Sequence, residues 1–566
     1  TNKYDISSWN LGNAYSTAFM FAGSKIDYAK PSSNFWGSSG NGYNVIAGDI
    51  DVNALNLIKD QVTVYMFANN KNITGLTLTS AMPVLQDTSG MAAWCRNMKK
   101  VDMQGFSAPV LENAIAMFFG SCEGDGGTFS FKNASLSALS DTRYMFYDSG
   151  YSSIDFDGCA LLKLINTQGM FASCDNLQSL GNEGAGTWNL SMDTDASYMF
   201  AGDRRLKAIN TAGWGMDAVK DISHMYENCE TLTSVQGANW NVGALQNMEG
   251  AFYNSGITSF SAPSWNTVSL ENAFMAFAQC KNLTSVSMDG WKLDSLVTAA
   301  GMFKDDSLLS EISISGSAPN MEDCSGMFMG CTSLKKAAVP KLLSAKTSNA
   351  SYMFDADAAL TAVDAGNWTT SGVIFGQAMF RDCSSLSALT SGSGATYTAL
   401  QDAGCMYKNC RSLPSDALQA AVNRMRPVAL KDDYETFYGA ELLKSIDLSG
   451  MSLASVTDMT RMLAQNGNKL TVIKVSSDFA TGITDMSVGG KNIFQVGADT
   501  VTDFTVARTM IPANLKNYDW SLDKRTFLKD GGAFVNDVAG TTYFFTKTAQ
   551  ESVNLKEDAQ ILDPFC

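Results

Sequence analysis

The sequence predicts a repeat solenoid: right-handed coils of about 26 residues, each giving one short parallel strand and one short helical or irregular turn. Three observations predict it. A Met-Phe step recurs at nearly constant intervals, a large apolar residue precedes that step at a fixed distance, and alternating apolar residues follow it.

The Met-Phe step and its variants fall at Met20, Met66, Met91, Met117, Met145, Met170, Met199, Met225, Ala251, Ala276, Met302, Met327, Met353, Met379, Met406, Thr436, Met462 and Ile493, about eighteen units. Most intervals are 25 to 28 residues. Eleven positions earlier stand Trp9, Phe106, Trp188, Trp214, Trp240, Trp265, Trp291, Trp368 and Met451. So regular an offset marks core ladders, and it accounts for the 29 Met residues. The strand follows the step. In Leu283-Thr-Ser-Val286-Ser-Met288 and Leu308…Ile312-Ser-Ile314 the apolar residues alternate as a half-buried strand requires. A single unit cannot bury its apolar side, whereas stacked units form a continuous core. The step itself, as in Glu271-Asn-Ala-Phe-Met-Ala-Phe-Ala, reads as a brief helical turn.

The period sets the domain boundaries: a solenoid over residues 1–505 and a non-repeating cap over 506–566, where the 26-residue spacing lapses. Met20 to Met66 is too long for one coil, which places an insertion at about 24–60. Insertions in solenoids emerge as loops, and this one mixes aromatic with small polar residues in the manner of antibody paratopes. Tyr28, Phe35, Trp36 and Tyr43 are its candidate partner-binding residues; equally, these aromatics could fold back over the first coil.

Charge narrows the partners. A net charge of −16 and a pI near 4.6 argue against nucleic acid, which demands clustered Lys and Arg. No run of eighteen apolar residues exists, so no segment is expected to span a bilayer. Asp5 to Trp9 already lies inside a repeat, and the natural N-terminus is expected further upstream.

The candidates for chemistry read as structural. Cys174, Cys229, Cys280, Cys331 and Cys383 hold equivalent sites in alternate units, with Ser149, Asp203, Ser255, Asp306 and Asp357 between them. Sites two rungs apart are separated by roughly 10 Å, beyond the ~7 Å limit for a disulfide. Reduced, buried thiols are therefore expected, with Cys566 left unassigned. Cys405 and Cys410 lack the further ligands that zinc needs. Asp305-Asp306, Asp355/Asp357 and Asp432-Asp433 read as solvated turns, and the lone His224 as a repeat-position variant that excludes histidine triads. No catalytic residue, metal site or cofactor is expected.

Asp5-Ile-Ser-Ser-Trp9…Phe19-Met20-Phe21, Trp265…Ala276-Phe277-Ala-Gln-Cys280-Lys-Asn-Leu283 and Cys324-Ser-Gly-Met327-Phe328-Met-Gly-Cys331-Thr-Ser-Leu334 resemble the BspA-like leucine-rich repeats, in the bacterial surface-protein branch. The resemblance covers roughly residues 1–500 and departs from the pattern at the insertion, after Thr436 and in the tail. It implies a leucine-rich-repeat-like solenoid, extracellular or cell-surface display, and adhesion to a protein or glycan partner without enzymatic activity. Two alternatives remain open: a phage or viral receptor-binding fibre module, and a structural subunit contacting its neighbours end to end in a surface filament.

Overall fold

The computed structural model describes residues 9–22 and 46–463 apart from 125, 182–187, 212–213, 238–239, 392–394, 449, 452–454, 457 and 459–460; beyond 463 it describes only three strands. The chain forms two compact units, one reaching Leu283 and including Gly290–Lys292, the other holding the rest. Both are parallel β-solenoids built from the same coil.

In the first unit the strands Gly48–Asp51, Ile73–Thr77, Lys100–Asp102, Gly127–Ser130, Tyr151–Asp155 and Ser179–Gly181 pair in chain order, all parallel. Their register sets Leu76, Val101, Phe129, Ile154 and Leu180 in one buried column. In the second unit Glu311–Ser313, Lys336–Ala338, Ala362–Ala365 and Ala388–Ser391 do the same around Ile312, Ala337 and Val363. Pairing direction then changes. Ser445–Asp447 pairs parallel with Val472–Ser476, which lies antiparallel to Thr542–Lys547, itself antiparallel to Phe504–Val506.

The predicted ladders form the core. Trp188, Trp214, Trp240, Trp265 and Trp291 stack ring on ring with centroids 5.4 to 6.2 Å apart. Indole N–H groups reach back to a carbonyl, Trp265 to Gly237 at 2.8 Å and Trp368 to Val339 at 2.7 Å, which satisfies the polar edge of a buried ring. The aromatic after each Met makes a second stack, through Phe146, Phe171, Phe200, Tyr226, Phe252 and Phe277 in one unit. Phe303, Phe328, Phe354, Phe380, Tyr407 and Phe437 continue the pattern in the other.

The Met-Phe segment is not helical. The residue before the Met and the residue three after it are left-handed, as at Tyr65 (φ 52°) and Asn69 (φ 57°), Tyr144 (φ 55°) and Asp148 (φ 55°). A left-handed residue at every fourth position breaks an α-helix into successive β-turns. In the Met66 segment, Met66, Ala68 and Asn70 donate to carbonyls three residues back, while Tyr65, Phe67 and Asn69 donate to the next coil at Ser89, Met91 and Ala93. Every second N–H thus serves the turn and the others join coils, so the wall is hydrogen-bonded without sheet or helix. The one α-helix among the described residues, Ser415–Arg424, fills the longer coil between Met406 and Thr436.

Except at Ser16, Val62, Thr298 and Phe375, an Asp or Asn four residues before the Met position opens the described wall segments. Its side chain accepts the N–H two residues on, as in Asp87 from Ser89 (2.8 Å), Asp221 from Ser223 (2.7 Å) and Asp323 from Ser325 (2.8 Å). These Asx turns stack as well, each bridging to the equivalent residue of the next coil.

The eleven cysteines among the described residues are buried, and none of them is in a disulfide. Thiols donate to the aromatic residue's carbonyl in the preceding coil, Cys174 to Phe146, Cys280 to Phe252 and Cys331 to Phe303, each at 3.0 Å. One expectation is overturned: Asp306, Asp355, Asp357 and Asp433 are buried, not solvated. Asp306 and Asp357 face inward because the alternating left-handed turn points the fourth residue after the Met into the coil, as at Asp203, which accepts the Cys174 N–H at 2.8 Å, whereas Asp433 accepts from the Thr436 hydroxyl. Asp355 instead takes the Arg381 guanidinium through two charge-assisted bonds, the Nε one 2.6 Å long.

Candidate functional site

Tyr28, Phe35, Trp36 and Tyr43 lie outside the described residues. Among the described residues, the outer face of the turn wall gathers the side chains suited to recognition. The left-handed backbone aims alternate side chains outward, and in the first unit many are aromatic. Phe19 meets Tyr65 at 5.1 Å, Trp94 and Tyr147 each pack at 4.9 Å against the buried Phe119, and Tyr198 stacks on His224 at 4.6 Å.

Glycine lets these rings lie close to the wall. A Cβ on Gly90 would stand 2.1 Å from the Tyr65 ring, and one on Gly169 would stand 2.7 Å from Tyr144. On Gly120 it would stand 2.4 Å from Trp94, and on Gly250 2.8 Å from His224. In each case a ring occupies the place of the next coil's missing side chain. Polar groups pin some rings further: Tyr144 donates to Gln168 at 2.7 Å, and in the second unit Tyr352 donates to Gln377 at 2.9 Å. There the face carries cations over rings, with Arg381 5.4 Å from Tyr352 and Lys408 5.3 Å from Tyr438.

His224 lies between two carboxylates on this face. Its Nδ1 lies 2.8 Å from Glu227 Oε2 and its Nε2 3.9 Å from Glu249 Oε1. The Glu227 hydrogen bond raises its pKa against the opposing effect of burial, and the charges of Glu227, Glu249 and Asp221 add to the rise.

A cleft of about 180 Å³ opens beside Trp94, lined by Arg96, Glu123, Asp148, Ser173, Asp175 and Asn176 over a floor that includes Gly120, Gly124 and Gly150. Arg96 lies over the Trp94 ring at 4.9 Å and pairs with Glu123 at 2.9 Å. Asn176 reaches across two coils to donate to the Gly124 carbonyl at 2.7 Å, and accepts from Arg205 at 3.1 Å. Asp148 has its carboxyl pKa raised by partial loss of water; Arg96 lowers it, while Asp175 and Glu123 raise it further. The sequence reading missed both features. Their signal was the Tyr or Trp one residue before or three residues after the Met position, facing Gly in the following coil.

No group of three or more His, Cys, Asp or Glu residues placed to hold a metal occurs among the described residues. Nor is any helix among them long and apolar enough to cross a membrane.

The coil and its ladders define a leucine-rich-repeat-type solenoid. Residues 140–264, 238–337 and 314–421 match the family described as Mycoplasma protein of unknown function, DUF285. Similar solved structures include a leucine-rich repeat protein from Bacteroides ovatus, 12% identical, covering 72% of this chain and 84% of that one, with a TM-score of 0.31. Another is a leucine-rich repeat protein from Eubacterium ventriosum, 16% identical, covering 79% and 91%, with a TM-score of 0.29. A third is a leucine rich cell surface protein from Faecalibacterium prausnitzii, 13% identical, covering 64% and 92%, with a TM-score of 0.29. No curated protein matches the chain in sequence.

Proposed function

We propose that this chain is a non-enzymatic, BspA-like binding scaffold displayed outside the cell, and that it holds its partner on the outer face of the turn wall. The observation that carries this is the set of rings packed over glycines, Tyr65 on Gly90 and Tyr144 on Gly169 among them. Tyr, Trp and Arg dominate binding hot spots, and a ring already fixed by its neighbours loses little conformational freedom when a partner arrives. The resemblance of the Met-Phe repeats to bacterial surface proteins supports display at the surface. Tyr28, Phe35, Trp36 and Tyr43 form a second recognition element in this proposal, on the insertion between the first two units.

The test is binding of the full chain to panels of extracellular matrix proteins and oligosaccharides. Changing Tyr144, Tyr147 and Tyr198 together to Ser should abolish a wild-type signal, while Lys336→Ser on the exposed strand wall leaves it intact. Binding that survives the triple change, or no binding by the wild type, would reject the turn wall as the site.

A further inference from the structure

We propose that the cleft beside Trp94 is a saccharide subsite that seats one neutral pyranose ring of a glycan. This deepens the scaffold reading above and rests on it.

Size comes first. At about 180 Å³ the cleft is smaller than sites for drug-sized ligands, roughly 300 Å³ and upward, and suits a single ring-sized group. The lining decides the chemistry. Apart from Cys122 its side chains are polar, so a hydrocarbon would strip water from Arg96, Glu123, Asp148 and Asp175 without replacing any hydrogen bond. A bare anion would face those three carboxylates. A bare cation would find Glu123 already paired with Arg96 at 2.9 Å and Asp175 with Arg204 at 3.9 Å, which leaves Asp148 alone to hold it. What remains is a neutral group that both donates and accepts, and vicinal hydroxyls do so.

The fit is specific. Asp148 and Asp175 present carboxylate oxygens as acceptors, while Arg96 keeps N–H donors beyond those spent on Glu123. The Ser173 hydroxyl can serve either way. The Asp148 carboxylate has no hydrogen-bond or ion-pair partner among the described residues, yet the walls have taken part of its water; a ligand hydroxyl would restore what the walls removed. Gly120 and Gly150 keep the floor free of side chains, and neither can be enlarged: a Cβ on Gly150 would stand 1.8 Å from the Cys122 carbonyl oxygen. The Asn176 bond across two coils fixes the rim, so the cleft is set before a ligand arrives. Through Gly120 the cleft adjoins Trp94, which packs with Tyr147 over the buried Phe119, and the remainder of a glycan chain could continue over Trp94 and Tyr147.

The experiment presents the full chain to an array of neutral and acidic oligosaccharides beside oligolysine and a matrix-protein panel. Four proteins are compared: wild type, Asp148→Asn, which keeps a residue tolerant of the left-handed backbone, Asp175→Ala at the exposed rim, and Lys336→Ser as control. Neutral glycans should bind the wild type and the control, and each cleft variant should lose about tenfold or more of that affinity with its melting temperature unchanged. Glycan binding indifferent to both cleft variants would place the sugar elsewhere and overturn the proposal. Binding of oligolysine in place of glycans, lost in the same variants, would overturn it in favour of a cationic ligand. Matrix-protein binding without any glycan binding would reject the subsite while leaving the scaffold reading intact; no binding to any panel would reject both.

Discussion

The imidazole of His224 and the phenol ring of Tyr198 are stacked, with centroids 4.6 Å apart and planes 17° from parallel, although they belong to successive coils. His224 in turn occupies the space beside Gly250 in the coil after. Three coils are thereby tied on the outside of the wall as well as through the core.

Gly250→Ala should therefore destabilise the first unit by more than the backbone penalty alone. The left-handed backbone (φ 55°) costs an L-residue about 1–2 kcal/mol, and displacing the imidazole adds about 1–3 kcal/mol. Gly105→Ala is the matched control, because Gly105 is also left-handed (φ 69°) but its Cβ would meet open space. Denaturant melts of the two variants should separate the terms; equal losses would mean the ring simply moves aside.

His224 should titrate above its ordinary value of 6.5. A raised folded pKa means that the folded state holds the proton more tightly. Its contribution is full below about pH 6.5 and is lost as pH rises through the folded pKa. The chain has a single histidine, so one NMR titration reads it directly. Glu227→Gln should bring the midpoint down, and an unmoved midpoint would remove Glu227 as the cause.

The buried carboxylates predict a chain that gains stability in mild acid. Burial raises Asp193 to about 7 against the bond from the Thr167 hydroxyl, and raises Asp433 to about 7 against the bond from Thr436. Folding favours the protonated form of each. Stability from this source is greatest below the ordinary carboxyl value of 3.8 and falls as pH rises to about 7. Asp193→Asn should flatten the dependence of melting temperature on pH between 4 and 7. A steeper slope in the variant would refute the assignment.

Core substitutions should be severe. Phe328 stacks between Phe303 at 5.6 Å and Phe354 at 5.1 Å, so Phe328→Asp places an unpaired charge inside two ring contacts at a cost of several kcal/mol. Trp240→Ala empties the space between Trp214 and Trp265 and should cost about 3–5 kcal/mol by chemical denaturation.

The thiols should resist alkylation until the chain unfolds. Burial pushes Cys95 and Cys159 up to about 12, and thiolate is the reactive form. Mass spectrometry without reductant should find the described cysteines unlabelled in native protein and labelled after denaturation. Protection that persists in denaturant would indicate disulfides and contradict the spacing.

The core was legible because each coil repeats the same residues. Trp240, Phe252 and Cys229 announce their roles by where their counterparts stand one or two coils away. The Asx ladder was equally available, since Asp87, Asn113, Asp141 and Asn166 each precede a Met by four residues. Periodicity left the wall open between helical and irregular, and it misread the Asp pairs. The Met-Phe segment has helix-like spacing, and its left-handed residues include Tyr65, Trp94 and His224, types that carry no turn signal of their own.

What the sequence by itself determined is therefore the coil: its length, its parallel strand, and the ladders of Trp, Met-Phe and Cys that fill it. A short period copied many times specifies a stack, because each unit can bury its apolar side only against another like it. What only the tertiary structure decided is the surface. The inward turn of Asp357, the rings laid on Gly90 and Gly250, and the cleft closed by Asn176 on Gly124 all depend on neighbouring coils. The left-handed turns that aim these side chains are held by N–H groups donating to the next coil, so their directions exist only once the coils have stacked.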